Sequence, residues 1–252
     1  MVTDNPFIPL MDFLPPLFLR TYIILMVVAV AVGTLADMVH KGSATFFMQQ
    51  RNKAKAASTR PLDAGARASL AVRTLLKEVA TSGEFHNPKR RISHLLMFYG
   101  FLLYIVTTIV MAFGYPTGNV ATPALLPMLW NLGAVMILAG GYWFFFFIRV
   151  NVAHEGHSPF HLMRADLFIV SLLASVSFAL LWETVQAAGG RGAAQTLFGL
   201  YLFFTTLLFV SVPWSKFAHM FYKPAAAFQR RVEEADGSST LPAPSQGPHK
   251  AV

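Results

Sequence analysis

Two histidines are the residues best placed to do chemistry in this chain. His94 stands in Arg91-Ile92-Ser93-His94-Leu95-Leu96-Met97-Phe98-Tyr99-Gly100-Phe101, and His219 in Pro213-Trp214-Ser215-Lys216-Phe217-Ala218-His219-Met220-Phe221. The first opens a long apolar segment and the second follows another. If those segments cross a membrane in opposite directions, the two imidazoles share a depth. Neutral imidazoles on facing helices suit the axial positions of a b-type heme, which needs two nitrogens and an apolar slot. Met97, Phe98, Phe101 and Phe217 are candidates to line the slot, and Lys89, Arg90, Arg91, Lys216 and Lys223 to pair with propionates. The same positions also suit interfacial histidines that bond only to headgroups or backbone, so on the residues alone both readings stand.

A second histidine group, His154-Glu155-Gly156-His157-Ser158-Pro159-Phe160-His161, has the donor types for zinc or copper. Gly156 and Pro159 argue against the helix that would put His157 and His161 on one face. A solvated, partner-facing loop is therefore expected there, with proton delivery as a further role. Four ionisable residues fall at the edges of apolar segments: Asp37, Arg149, Asp166 and Glu183. Each is expected to be hydrated or to snorkel, with Arg149 and Asp166 able to pair across the same loop. Tyr142, Trp143, Trp182 and Trp214 are expected in aromatic belts.

The elements that must position these residues are legible in composition. The chain is 55% hydrophobic and 13% charged, which suits a polytopic membrane protein. Five segments, roughly 14–36, 94–113, 126–148, 166–186 and 195–213, are long and apolar enough to cross a bilayer. The fold class expected is an all-α integral membrane bundle of five transmembrane helices. The first apolar run is longer than a signal-peptide core and no convincing cleavage site follows it, so it is expected to be retained. There is no cysteine, which excludes disulfides, thiolate zinc sites, cysteine-held clusters and covalently attached heme.

Charge sets an expected orientation. Eleven Lys and Arg lie between Asp37 and Ser93, two between Arg149 and Ala165, and five from Trp214 onward, against Arg20 and Arg191 on the other side. The positive-inside rule then puts the N-terminus outside and the C-terminus in the cytoplasm, in a bacterial inner membrane. The net charge of +8 follows from the same rule, and no soluble fold is present to bind nucleic acid. The chain divides into residues 1–36 with the first helix, a basic cytoplasmic segment 37–93, a four-helix core 94–228 and a disordered cytoplasmic tail 229–252. Within 37–93, Leu70, Val72, Leu75, Leu76 and Val79 alternate with Arg67, Arg73, Lys77 and Glu78. That pattern predicts an amphipathic helix, lying on the inner leaflet or docking a soluble partner.

Two stretches resemble a known family. Leu75 to Val79 with His94 to Leu102, and Pro213-Trp214-Ser215-Lys216-Phe217-Ala218-His219-Met220-Phe221-Tyr222-Lys223-Pro224, are similar to motifs of the membrane cytochromes of the respiratory nitrate reductase gamma type. They are closer to the membrane subunits of heterodisulfide reductases and of the quinone-interacting oxidoreductase complex. The resemblance covers roughly residues 66–228. It implies two stacked hemes, each held by a histidine from either helix, but the deeper pair is here Tyr104 and Tyr201. Both tyrosines are expected to pack or hydrogen-bond, leaving at most one heme, ligated by His94 and His219. This pattern resembles the subgroup of membrane anchors that accompany dissimilatory adenylylsulfate reductase in sulfur oxidisers. The resemblance implies a cytoplasmic flavin and iron–sulfur partner and electron exchange with quinone.

Three functions of different classes follow as expectations. The first is a membrane anchor and electron-transfer subunit, and the second a cofactor-free scaffold for the same partner. The third is a small transporter, against which stand the lack of an internal repeat and of a mid-membrane charge. No nucleophile–base pair marks a stand-alone enzyme.

Overall fold

The computed structural model of the chain describes residues 2–40, 43–83, 85, 87–149, 160–214 and 219–239; the side chains of 43, 44, 78, 79, 165, 214 and 219–222 lie outside that description. The described residues are mostly helical and include no strand. Five helices are long and apolar enough to cross a bilayer: α1 (Pro16–His40), α4 (Pro88–Gly114), α5 (Leu125–Trp143, wound on to Ile148 as a wider π turn), α6 (Leu167–Ala187) and α7 (Arg191–Val210). This is the expected multi-pass, all-α architecture. Three further helices lie outside the spans: α2 (Ser43–Ala57), α3 (Ala64–Thr74, followed by a π turn over Leu75–Ala80) and α8 (His219–Asp236). By connectivity all three sit at the end of the bundle that carries His94.

Local chemistry explains the boundaries. Pro88 occupies the first turn of α4, where its missing N–H costs nothing. Asn87 caps that turn by accepting from the Lys89 and Arg90 amides. The helix therefore starts six residues before His94, which lies in the second turn rather than at the opening. Asp63 caps α3 by accepting from the Ala66 amide. Gly189, at φ +83°, ends α6 in the left-handed conformation that stops helices.

The tightest packing is between α4 and α5. A Cβ on Gly100 would stand 2.8 Å from the Gly133 carbonyl, and one on Gly140 2.7 Å from the Ser93 carbonyl. Ser93 Oγ donates to the Gly140 carbonyl at 2.8 Å. Small residues let the two backbones touch, which is how helices associate where lipid removes the hydrophobic drive. By contrast α1 buries only Leu19, Gly33 and Asp37. It is tied by Arg20, donating to the Ala112 and Phe113 carbonyls, and by Tyr22, donating to the Leu202 carbonyl at 3.0 Å.

The far end is closed by the chain's first residues. Phe7 wedges between Trp130 and Trp182, with ring centroids 6.0 and 5.7 Å away. Asn5 donates to the Tyr115 carbonyl and to Thr122, and Gln186 donates to the Pro6 carbonyl.

Several expectations are corrected. Trp182 is fully buried inside the bundle, not in an interfacial belt. Glu183 is buried and accepts from Asn131 Nδ2 at 3.0 Å instead of being hydrated. Asp37 is also buried. The last span stops at Val210, short of Pro213, so His219 opens a separate helix. Residues 229–236, expected to be disordered, continue α8 because that helix has its own packing partners. It lies against α3, and its last carbonyl, Asp236, accepts from the Thr59 and Arg60 amides.

Candidate functional site

His94 is held from two sides. Its Nδ1 shares a 2.8 Å hydrogen bond with Ser82 Oγ. Its ring lies between Phe85, 5.0 Å away, and Phe98, 6.4 Å away and nearly parallel. Ser82 is fully buried at φ +48°, a left-handed conformation that residues other than glycine adopt reluctantly. Neighbouring α4 side chains enforce that turn: Arg91 Nε donates to the Thr81 carbonyl at 2.8 Å, and Tyr99 Oη to the Ala80 carbonyl at 2.7 Å. A histidine whose Nδ1 is engaged by a neighbour has fixed ring orientation, the arrangement usual for an imidazole that binds metal through Nε2.

The His219 backbone opens α8, and its side chain lies outside the described residues. One turn further on, Lys223 Nζ stands 5.5 Å from the Phe85 ring, the same ring that meets His94. Phe85 thus joins the start of α8 to the His94 turn. Of the other slot candidates, Phe98 is against His94, while Met97 packs with Phe145 and Leu173 towards α5. Lys216 and Phe217 lie outside the described residues. Arg90 and Arg91 are engaged by the Ile148 and Thr81 carbonyls, and Lys89 is exposed.

Between α5 and α6, His154 and His157 lie outside the described residues. His161 is exposed, and its carbonyl accepts from Arg149. Arg149 also pairs with Asp166, as expected, and lies over the Phe145 ring at 4.6 Å. Among the described residues, no three metal-ligating side chains gather.

Tyr104 and Tyr201 are both buried. Tyr104 stacks on Trp130 at 5.0 Å, and Tyr201 lies parallel to Trp182 at 5.9 Å. With Phe7 and Phe198 these rings fill that level of the bundle.

Sequence reasoning missed a chamber of about 630 Å³ between α1, α4, α6 and α7. His94, Phe98, Phe101, Ile105 and Ile109 form one stripe of α4 by helical spacing, and the last three line that chamber. A second groove, of about 580 Å³, lies between α2 and α8 and carries Arg51, Lys55 and Arg67 beside Phe47 and Phe228.

No protein-family model, no curated protein and no solved structure matches the chain.

Proposed function

We propose that the chain is a membrane anchor and electron-transfer subunit. It would link a cytoplasmic flavin and iron–sulfur oxidoreductase, of the adenylylsulfate reductase kind, to the quinone pool of a bacterial inner membrane. The observation that carries this reading is the stripe on α4, which runs from a positioned histidine at the bundle's end to a chamber within the spans. Eighteen of the twenty Lys and Arg belong to segments at the His94 end, which supports a cytoplasmic His94 face with the N-terminus outside. The basic groove between α2 and α8 lies at that same end, where a soluble partner would dock.

The positioned ring of His94 supports one heme there. Ser82 fixes the ring orientation that ligation through Nε2 would need, and Phe85, which meets His94, is also met by Lys223 of α8, the helix that His219 opens. A b-type heme held by His94 and His219 would supply single-electron transfer between partner and quinone. The aromatic filling around Tyr104 and Tyr201 favours the absence of a second heme. It equally suits a cofactor-free scaffold, in which the partner's own centres would reach quinone.

The test is a reduced-minus-oxidised optical spectrum of the purified chain with heme quantified per polypeptide. About one b-type heme, lost in His94→Ala, is the expected result. Two hemes would overturn the reading of the tyrosines. A colourless, folded chain that still captures its partner would replace electron transfer by scaffolding.

A further inference from the structure

The groove between α2 and α8 gathers positive charge that the residues around it do not neutralise. Its α2 wall presents Phe47, Arg51 and Lys55, one turn apart on one stripe, and its α8 wall Ala225, Phe228 and Val232. Arg67 of α3 lines the same space. The nearby acids are committed elsewhere. Glu234 pairs with Arg230, Glu233 accepts from Gln229 Nε2, and Asp63 caps α3. Asp236 also lines the groove, but it is buried, and its carboxylate accepts from the Ser238 amide and hydroxyl. Among the described residues, no carboxylate pairs with Arg51, Lys55 or Arg67, and all three are exposed. Three such cations beside an apolar floor suit a ligand that is anionic at one end and apolar at the other.

The course of the two helices narrows the source of that ligand. Helix α2 begins three residues after the α1 span ends, and α8 opens nine residues after the α7 span ends. Their far ends meet, because the Thr59 and Arg60 amides both donate to the Asp236 carbonyl at 3.1 Å. The groove therefore runs from the ends of two spans to a closed corner. Its chemistry changes along that course. Phe47 stands on the part of α2 nearer the span, and the helical rise puts Arg51 and Lys55 about 6 and 12 Å further on. Phe46 and Met48, beside Phe47, are 63% and 48% exposed. Large apolar side chains exposed where a helix leaves a span suit the boundary of a bilayer, whereas an acidic protein segment in the groove would leave them in water. The apolar mouth thus adjoins lipid, and the cations lie beyond it on the head-group side.

We propose that this groove binds one anionic phospholipid from the leaflet at the His94 end, with its phosphate among Arg51, Lys55 and Arg67 and its acyl chains passing Phe47 and Phe228 into the bilayer. The lipid supplies the counter-charge that the protein lacks there and fills the space between α2 and α8, so that the two helices are seated on the membrane as one surface. A soluble partner docking at this end would meet the groove already filled. The site is independent of the heme and quinone reading and stands or falls apart from it.

The test is lipid retention by the full chain. It is placed in nanodiscs of phosphatidylcholine with a minor share of phosphatidylglycerol of the same acyl chains, and the lipids kept on release are counted by native mass spectrometry. One phosphatidylglycerol per chain is expected, with phosphatidylcholine at least tenfold weaker. The triple variant Arg51→Gln, Lys55→Gln, Arg67→Gln should lower phosphatidylglycerol affinity at least tenfold, since each cation facing a phosphate is worth about fivefold. Lys53→Gln, Arg73→Gln, Lys77→Gln removes the same charge from exposed positions of α2, α3 and its π turn that do not line the groove, and should change affinity less than twofold. Ala225→Trp, which fills the groove from α8, should abolish retention. Equal losses in the two triple variants overturn the proposal, because the surface as a whole would then attract the lipid. Equal retention of the two lipids overturns it as well. Displacement of phosphatidylglycerol by hexaglutamate, but not by hexaglutamine, would replace the lipid by an acidic protein segment. If the groove triple variant does not fold, Ala225→Trp and the comparison of the two lipids decide.

Discussion

The two sides of α4 are built in opposite ways. Towards α5, Ser93, Gly100 and Tyr104 meet Gly133 and Gly140 so closely that a single methyl group would strike backbone. Towards α1, Phe101, Ile105 and Ile109 border a chamber instead of a neighbour. One face defines where the helix stands, and the other leaves room beside it. A membrane bundle that must receive a ligand needs both, because a site can be hollow only if its walls are fixed elsewhere.

The contrast can be broken hardest at its tight side. Gly133→Leu places branches where a Cβ already meets the Gly100 carbonyl and the Tyr104 amide at 2.8 Å. No monodisperse protein should be recovered after detergent extraction. Recovery at wild-type yield would show that the seam does not hold the bundle. A matched pair sharpens the point at lower cost. Gly100→Ala should destabilise the chain by about 1–3 kcal/mol, since the obstruction is backbone. Gly33→Ala on α1 meets only Val212 and Pro213 side chains, at 3.1 and 3.3 Å. It should cost under about 1 kcal/mol, because α1 can yield. Thermal melts of the two variants in one detergent would compare them, and equal losses would erase the distinction. Next comes Trp130→Phe, which removes the indole donor to Thr108 and should cost about 1 kcal/mol in the same assay. The smallest effect belongs to Tyr22→Phe. Loss of its bond to α7 should cost about 0.6 kcal/mol, typical of an interhelical bond in a membrane.

Much of this architecture was visible before any coordinates. The five spans follow from hydropathy, because a bilayer filters for length and apolarity alone. The amphipathic pattern at Leu70 to Val79 corresponds to α3 and its π turn. The Arg149–Asp166 pair also followed from position. Helix α2 was missed because Gln49, Gln50, Lys53, Ala54 and Lys55 signal helix through propensity and carry no apolar stripe. Trp182 was assigned to a belt because α6 is hydrophobic all round, so its inward face has no signature. The seven-residue spacing of Ser93 with Gly100, and of Gly133 with Gly140, was available as a packing signal. The chamber had no such signal, because it exists only through the sparse packing of α1 against its neighbours. Ser82 was equally hidden, since nothing in a serine's surroundings announces a left-handed backbone.

The wedge formed by Phe7 has a consequence for biogenesis. Residues around Phe7 are made well before their partners Tyr115, Trp130, Trp182 and Gln186. The segment must wait, unplaced, until α4, α5 and α6 have entered the bilayer and drawn together. The closing step of assembly therefore uses a segment made before the three helices that it closes.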